Sequence, residues 1–234
     1  MSRTHDDARP YGRRAFLATV AVGVSSLAWG SAAFRRLSEL LDPLVDRLPG
    51  ALAALPSPTS GWRIYNVNPP MPRFDAATWR LRIEGLVDQP LELTYDELRD
   101  LPRAEQVSDF HCVTGWSVPG VHWAGVRFDV LLDQVKPRSE AKAVAFVSME
   151  RPYVDTLTLR QVLLPDVMLA YEMDGRPLTR AHGAPARVVI PEMYGYKNTK
   201  WIERIVLGED AFDGYWEQRG YDRNAWVGRS NGYG

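Results

Sequence analysis

The single cysteine of the chain stands where a sulfur could do chemistry. Cys112 follows Phe110 and His111, at the point where an apolar strand pattern runs into a loop that contains Gly115. A thiolate at the end of a strand can bind a soft metal or act as a nucleophile, and a buried structural cysteine is the alternative. One cysteine allows neither an internal disulfide nor a CxxCH haem attachment, and the four histidines lack the paired short spacings of a zinc site.

A second group of residues collects positive charge later in the chain. Arg187 begins an apolar strand pattern, and Lys197 and Lys200 lie in the loop that follows. A planar guanidinium fork and two point charges suit a phosphate group, and a turn with a solvated basic loop is the alternative. Trp116 and Tyr153 are aromatic residues of the kind that more often form a core or a pocket wall than react. The sequence thus offers one candidate thiolate site and one candidate anion site.

The elements that would position these residues are mostly short strands. Thr94 and Glu97 have the spacing of a capping box, which marks the start of a helix. The patterns predict a hairpin at 79–93, strands at 143–149, 169–173, 186–190 and 201–207, and short helices at 94–101 and 129–135. Because the chain shows neither a repeat nor an alternating βαβ pattern, we predict an α+β domain with a dominant β component.

The N-terminal part of the sequence differs from the rest. Arg13 and Arg14 precede an apolar run of about a dozen residues, which is short for a membrane span of roughly 20. This pattern resembles a twin-arginine signal, so we expect a signal at 1–33, with an uncleaved anchor as the alternative. Residues 34–60 are predicted to be an amphipathic segment and linker, and residues 61–234 the catalytic domain. A signal of this type would place the protein in the periplasm or on the extracytoplasmic face of the membrane.

Taken together, these segments resemble the sulfite oxidase fold family of molybdopterin enzymes, in its sulfoxide-reductase branch. The loop 112–117, with Cys112 and Trp116, is similar to the family's metal-cysteine loop, and the stretch 166–187 is similar to one shared with sulfite oxidases. The similarity covers about residues 65–221. The resemblance implies mixed β-sheets with a few short helices. It also implies a molybdenum–molybdopterin cofactor with a single pyranopterin, whose metal takes Cys112 as a further sulfur ligand.

The resemblance also assigns individual site residues. Cofactor contacts are implied for Asn66, Ser148, His182, Arg187, Asn198, Thr199 and Lys200, and the catalytic set would be Cys112, Trp116 and Tyr153, the last two as walls of the substrate pocket. Arg187 matches the residue that holds the cofactor phosphate. A buried dianion must be paired with positive charge, which is a reason for Arg187 and a lysine to converge there.

The residues after the cysteine depart from those of sulfite oxidases. Those enzymes have Cys-Ala-Gly-Asn-Arg-Arg at this point, whereas this chain has Cys-Val-Thr-Gly-Trp-Ser and lacks the arginine pair. Sulfite is a small dianion that needs such cations, so we expect oxygen-atom transfer from a neutral sulfoxide such as methionine sulfoxide. A sulfite-type oxidase with an altered anion site is the alternative enzyme. A membrane-tethered binding module of the same fold without the cofactor is the alternative from another class.

The resemblance and the composition together predict the partners. The sequence has no haem domain and no additional dimerisation domain of the sulfite oxidase type, so we expect a monomer that exchanges electrons with an external partner, a membrane haem protein. A formal net charge of −1 provides no broad basic field for nucleic acid.

Overall fold

The structure is a computed structural model that describes residues 61–230 and residue 232. The predicted signal at 1–33 and the amphipathic segment and linker at 34–60 lie outside the described residues. Within the described part, no helix combines the length and the apolar character that a membrane crossing requires.

Ten strands and three α-helices follow one another along the described chain. They are β1 (Leu81–Gly85), β2 (Leu91–Leu93), α1 (Tyr95–Asp100), β3 (Ala104–Cys112), β4 (Trp116–Arg127), α2 (Phe128–Val135), β5 (Ala143–Ser148), β6 (Val154–Thr158), α3 (Leu159–Val162), β7 (Met168–Met173), β8 (Arg176–Pro177), β9 (Arg187–Val189) and β10 (Ile202–Gly208). Two 3-10 turns, Gly195–Lys197 and Glu217–Arg219, lie between and after the last strands. The prediction of an α+β fold with mixed sheets and a few short helices is confirmed.

The strands form two sheets. In the first, the order is β2-β1-β10-β5-β6, with β1 and β10 parallel and the other neighbours antiparallel. The second has the order β3-β4-β7-β8, with β9 also paired to β7, and all of its pairs are antiparallel. The parallel pair joins the first and last strands of the described chain, so both ends of the strand order in sequence meet in the first sheet. The second sheet carries the cysteine at the end of β3.

Local signals in the sequence account for several of these elements. Thr94 caps α1 with the predicted capping box, in which its backbone N–H donates to the Glu97 carboxylate at 2.8 Å. Helix α2 buries four apolar residues at helical spacing, which are Phe128, Leu131, Leu132 and Val135. The turn between β7 and β8 has positive φ at both Asp174 and Gly175, as a two-residue hairpin turn requires.

Strand β9 is shorter than its apolar pattern predicts. The pattern covers 186–190, but the strand is Arg187–Val189. The backbone N–H of Ile190 donates to the side-chain oxygen of Asn198 at 2.8 Å, so it is not available to a neighbouring strand. The strand ends there because the Asn198 side chain accepts the hydrogen bond that the Ile190 N–H would otherwise donate to a neighbouring strand.

A buried charge cluster ties the first sheet to the C-terminal loops. Lys197 is 1% exposed, and its ammonium group donates to Asp155 at 2.7 Å, to Glu217 and to the backbone carbonyl of Thr156 at 3.2 Å. The loop pattern predicts that Lys197 contacts a phosphate, but its ammonium group is already paired with two carboxylates. The cluster joins β6 to both 3-10 turns.

Removing the cation of this cluster should destabilise the fold strongly. Lys197→Met leaves two carboxylates buried without a counter-charge, for which we expect a loss of about 3–5 kcal/mol in the free energy of unfolding. Urea unfolding followed by tryptophan fluorescence measures the loss. The matched control is Lys142→Met, which changes an exposed lysine and should alter stability by about 0.5 kcal/mol or less. Equal stability of the two variants would contradict the role given to the cluster.

The same cluster predicts a pH dependence of stability. Burial raises the pKa of Asp155 to about 7 from an ordinary value of 3.8, and Lys197 only partly opposes the rise. The folded state therefore binds more protons than the unfolded state between these values, so this group destabilises the fold as pH rises through that window. We expect Asp155→Asn to flatten the fall in unfolding free energy between about pH 4 and pH 7. Parallel curves for the variant and the wild type would rule this origin out.

Candidate functional site

A cavity of about 490 Å³ opens beside the β3–β4 hairpin, a volume suited to a small organic ligand. Nine of the ten predicted site residues line it, namely Asn66, Cys112, Trp116, Ser148, Tyr153, His182, Arg187, Asn198 and Lys200. Thr199, the tenth, is buried and does not line the cavity, and its hydroxyl has no hydrogen-bond partner among the residues that the structure describes. Residues from distant parts of the sequence thus converge on one cavity.

A tight hairpin turn presents the cysteine. Cys112 is the last residue of β3 and pairs with Trp116, and its carbonyl accepts a hydrogen bond from the Gly115 N–H at 3.0 Å. Gly115 has a φ of 85°, which favours glycine, so the sequence suits the turn. The Cys112 sulfur is partly exposed and lies 3.2 Å from the Thr114 hydroxyl oxygen. The turn therefore holds a free thiol in the cavity wall.

The described residues do not form a complete metal site of their own. No group of three or more His, Cys, Asp or Glu side chains within the described part of the chain could hold a metal ion. His111 is next to Cys112 in sequence, but its Nδ1 lies 2.8 Å from the Ser117 hydroxyl oxygen. A metal bound through Cys112 would therefore need its other ligands from a cofactor. This donor set fits a cofactor that carries its own sulfur ligands.

Arg187 places a buried positive charge in the cavity wall. Its guanidinium is 3% exposed and donates to two backbone carbonyls, those of His182 at 3.3 Å and Asn198 at 3.5 Å. Its Nε has no partner among the described residues, and its central guanidinium carbon lies 5.3 Å from the ring centre of Phe110 and 5.2 Å from that of Trp123. Burial lowers its pKa to about 10. A buried cation with an unused donor calls for an anion, which fits the phosphate of a cofactor.

Two further basic residues share this environment. Burial, assisted by the charge of Arg187, lowers the pKa of Lys200 to about 7, while Glu150 opposes the shift. Burial and the same two cations lower the pKa of His182 to about 3, so its imidazole is neutral at ordinary pH. The buried Nδ1 of His182 has no hydrogen-bond partner in the described part of the chain. An anion in the cavity would stabilise both cations, and the free ring nitrogen could pair with a heterocycle.

Other predicted contacts shape the cavity backbone. The Ser148 hydroxyl donates to the Lys200 carbonyl at 2.8 Å, and the Asn198 amide group donates to the carbonyls of Ile190 and Met193, both at 3.4 Å. The Tyr153 hydroxyl donates to the Tyr196 carbonyl, and burial raises its pKa well above the ordinary value, so it stays protonated. These side chains hold loops in place.

Several lining residues could not be identified from the sequence. They are Trp62, Tyr65, Glu150, Tyr215, Trp216 and Tyr221. They lie outside the regular helices and strands, so no periodicity marks them. The one available signal is the density of aromatic residues at 215–226. The ring of Tyr215 stacks on Tyr153 with centres 5.5 Å apart, which completes an aromatic wall.

Comparisons with known proteins agree with this geometry. The family model of the oxidoreductase molybdopterin binding domain matches residues 68–216. YuiH, an uncharacterized oxidoreductase of Bacillus subtilis (strain 168), is 37% identical over 147 residues, which are 63% of this chain and 74% of the relative. A putative protein-methionine-sulfoxide reductase subunit of Azospira oryzae, YedZ1, is 34% identical over 193 residues, 82% of this chain and 71% of the relative.

A solved structure extends the comparison to the fold. The sulfane dehydrogenase SoxCD from Paracoccus pantotrophus matches with a TM-score of 0.59 and 24% identity, over 71% of this chain and 46% of that chain. At this identity the likeness shows the fold alone. With the family match and the two relatives, it identifies the chain as a member of the oxidoreductases with a molybdopterin-binding domain, built on the sulfite oxidase-type fold.

Proposed function

We propose that this oxidoreductase reduces a sulfoxide, such as methionine sulfoxide, to the thioether. The reaction consumes two electrons and two protons and releases water. The observation that carries the proposal is the Cys112 turn, whose lining residues Val113 and Thr114 bring no charge to the cavity. A neutral sulfoxide needs no cation pair beside the cysteine, whereas a dianion does. The name of the Azospira oryzae relative supports the same substrate class.

The residues of the chain would divide the work between two parts of the cavity. The bound molybdenum cofactor supplies a metal that cycles by two electrons and exchanges an oxygen atom with the substrate. Cys112 would bind the metal, while Arg187 and Lys200 would hold the phosphate and His182 and Asn66 would contact the pterin. Thr199 stays a predicted contact, although it does not line the cavity.

Aromatic side chains would orient the substrate and exclude water. The ring of Trp116 lies 6.5 Å from that of Tyr65, and Tyr153 stacks on Tyr215, so both faces of the cavity offer flat apolar surfaces. A sulfoxide with apolar substituents would lose little on leaving water for such a surface. Trp116 and Tyr153 are therefore the walls of the proposed substrate pocket.

The proposal includes the location and the electron source. The paired Arg13 and Arg14 support export through the twin-arginine route to the periplasm. An external membrane haem protein would then deliver the electrons, and the word "subunit" in the name of the Azospira oryzae relative agrees with a multi-component system. We propose that the chain itself is a monomer.

The first test is the cofactor content and the substrate preference of one preparation. Protein made in a host that synthesises the cofactor should contain close to one molybdenum and one pterin per chain. With a reduced dye as donor it should turn over methionine sulfoxide, and with an oxidised dye it should leave sulfite unchanged. Sulfite turnover would instead favour the oxidase alternative, for which Arg63 is the described lining cation that is not assigned to the cofactor phosphate. Folded protein without molybdenum would favour the binding module.

Replacing the proposed metal ligand should abolish turnover without unfolding the protein. Cys112→Ser changes one partly exposed atom, so circular dichroism and the unfolding temperature should stay near wild type while sulfoxide reduction falls to background. Ser139→Ala, an exposed change outside the cavity, is the control and should keep full activity. Undiminished turnover by Cys112→Ser with a full complement of molybdenum would refute the ligand assignment.

Replacing the proposed phosphate ligand should weaken cofactor retention. Arg187→Met removes a charge-assisted contact of about 1.5–3 kcal/mol, which corresponds to roughly 10- to 100-fold weaker retention. Arg187→Lys keeps the charge without the planar fork and should fall between Arg187→Met and wild type. Molybdenum and pterin per chain after gel filtration measure the effect. Normal retention by Arg187→Met, with the exposed change Arg138→Met as control, would exclude Arg187 from the phosphate site.

A further inference from the structure

One carboxylate lies in the cavity wall, where an anion site would favour positive charge. Glu150 is 4% exposed and lines the same cavity as Arg187 and Lys200. A buried negative charge should repel the phosphate that these cations would hold, so its presence needs a compensating role. Burial raises the pKa of Glu150, while backbone N–H donors and Lys200 oppose the rise.

The hydrogen bonds of Glu150 show where its carboxylate is used. One carboxylate oxygen accepts the backbone N–H of Val67 at 2.6 Å and that of Asn68 at 3.2 Å. These two partners lie more than 80 residues earlier in the chain. The backbone of Glu150 is itself fixed, because its N–H donates to the Ser148 hydroxyl at 2.9 Å and its carbonyl accepts the N–H of Tyr153 at 2.8 Å. Glu150 is thus a rigid anchor at the end of β5.

The segment that Glu150 anchors contributes a continuous stretch of the cavity lining. Residues 62–67 are six consecutive lining residues, and we call residues 62–68 the strap. In the described chain, the strap belongs to neither sheet. Besides Glu150, its backbone is held by Lys200, which donates to the Tyr65 carbonyl at 2.7 Å, and the side chain of Asn68 donates to the Arg151 carbonyl at 2.9 Å.

A segment without ladder hydrogen bonds depends on such side-chain contacts for its position. Trp62 adds packing at one end of the strap, with its ring centre 4.8 Å from Phe110 and 4.9 Å from His182. Glu150 holds the other end of the strap through two charge-assisted hydrogen bonds. Breaking those two bonds would loosen this end of the strap, where the exposed contact of Asn68 with the Arg151 carbonyl would remain.

We propose that Glu150 is a positioning residue that latches the strap over the bound cofactor, and that release of this latch limits how fast the cofactor enters and leaves. The inference rests on the proposed use of the cavity as the cofactor site. It explains why an acid is placed among cations, since the carboxylate serves the backbone of the strap. Glu150 has no part in the oxygen transfer itself.

The test compares two substitutions of Glu150 in the holoenzyme. Glu150→Leu fills a similar volume without an acceptor, whereas Glu150→Gln keeps an acceptor oxygen for the N–H groups of Val67 and Asn68. We expect Glu150→Leu to release molybdenum and pterin roughly 10- to 100-fold faster than wild type, with Glu150→Gln much closer to wild type. Release is followed as metal and pterin remaining per chain over time. The exposed change Glu140→Leu is the matched control and should release at the wild-type rate.

A second readout follows the strap directly and needs no turnover. Trypsin cleavage after Arg63, located by mass spectrometry on the full chain, should be faster in Glu150→Leu than in wild type, with or without cofactor. Because cleavage is measured on cofactor-free protein too, a failure of the cofactor assignment leaves the latch testable. Unchanged cleavage and unchanged release in Glu150→Leu would overturn the proposal, and so would a Glu150→Gln variant that releases cofactor as fast as Glu150→Leu.

If Glu150→Leu does not fold, Asn68→Ala takes its place. This variant removes the exposed contact between the strap and the Arg151 carbonyl and leaves the core intact. It should also speed cleavage after Arg63, by less than a loss of the Glu150 contacts would. Cleavage at the wild-type rate in Asn68→Ala would count against a strap held by these side-chain contacts.

Discussion

The burial of the Arg187 guanidinium, which has no carboxylate partner in the part of the chain that the structure describes, is the constraint on which the cavity depends. Within the described residues, its guanidinium donates to two backbone carbonyls, and its Nε has no partner. Keeping such a charge out of water has a free-energy cost that the two carbonyls and the neighbouring rings offset in part and that an anion would offset further. The loops around it, and the depressed pKa values of Lys200 and His182, are consistent with a pocket arranged for a negatively charged group that the chain does not itself provide.

Lys197 shows the opposite solution within the same stretch of sequence. It lies ten residues after Arg187, and both are nearly fully buried, yet Lys197 is paired with Asp155 and Glu217. Its charge is satisfied inside the protein, so it stabilises the packing of the loops and is not free for a ligand. The presence or absence of an internal partner therefore separates the structural cation from the candidate binding cation.

The cavity combines this anion site with a thiol and an aromatic wall. The β3–β4 turn fixes Cys112 at one place in the wall, and the loops at 195–201 and 215–221 bring in basic and aromatic side chains. The buried Lys197 cluster lies behind this wall and connects β6 to the two 3-10 turns that carry Tyr196 and Glu217. Stability and site geometry are thus coupled, because the same salt-bridged segments present the lining residues.

The sequence alone determined the features that depend on near neighbours. The capping box at Thr94 and the end of β3 at Cys112 follow from residues a few positions apart, and the structure has them as predicted. The Asp174–Gly175 turn depends on near neighbours in the same way. The convergence of Cys112 and Arg187 followed from the family resemblance, because two motifs in the right order fix a known arrangement. No periodicity or composition could have placed them in one cavity.

The partners that lie far apart in sequence can be read only from the folded structure. Lys197 binds Asp155, which is 42 positions away in sequence, and Glu150 binds Val67, which is 83 positions away. Local sequence patterns do not predict pairs with such separations. For that reason a lysine that suits a phosphate by its position is a structural cation, and an acid without a motif anchors the strap. The physical reason is that the role of a buried charge is set by the partner that folding brings to it, and the chain sequence does not state which partner that is.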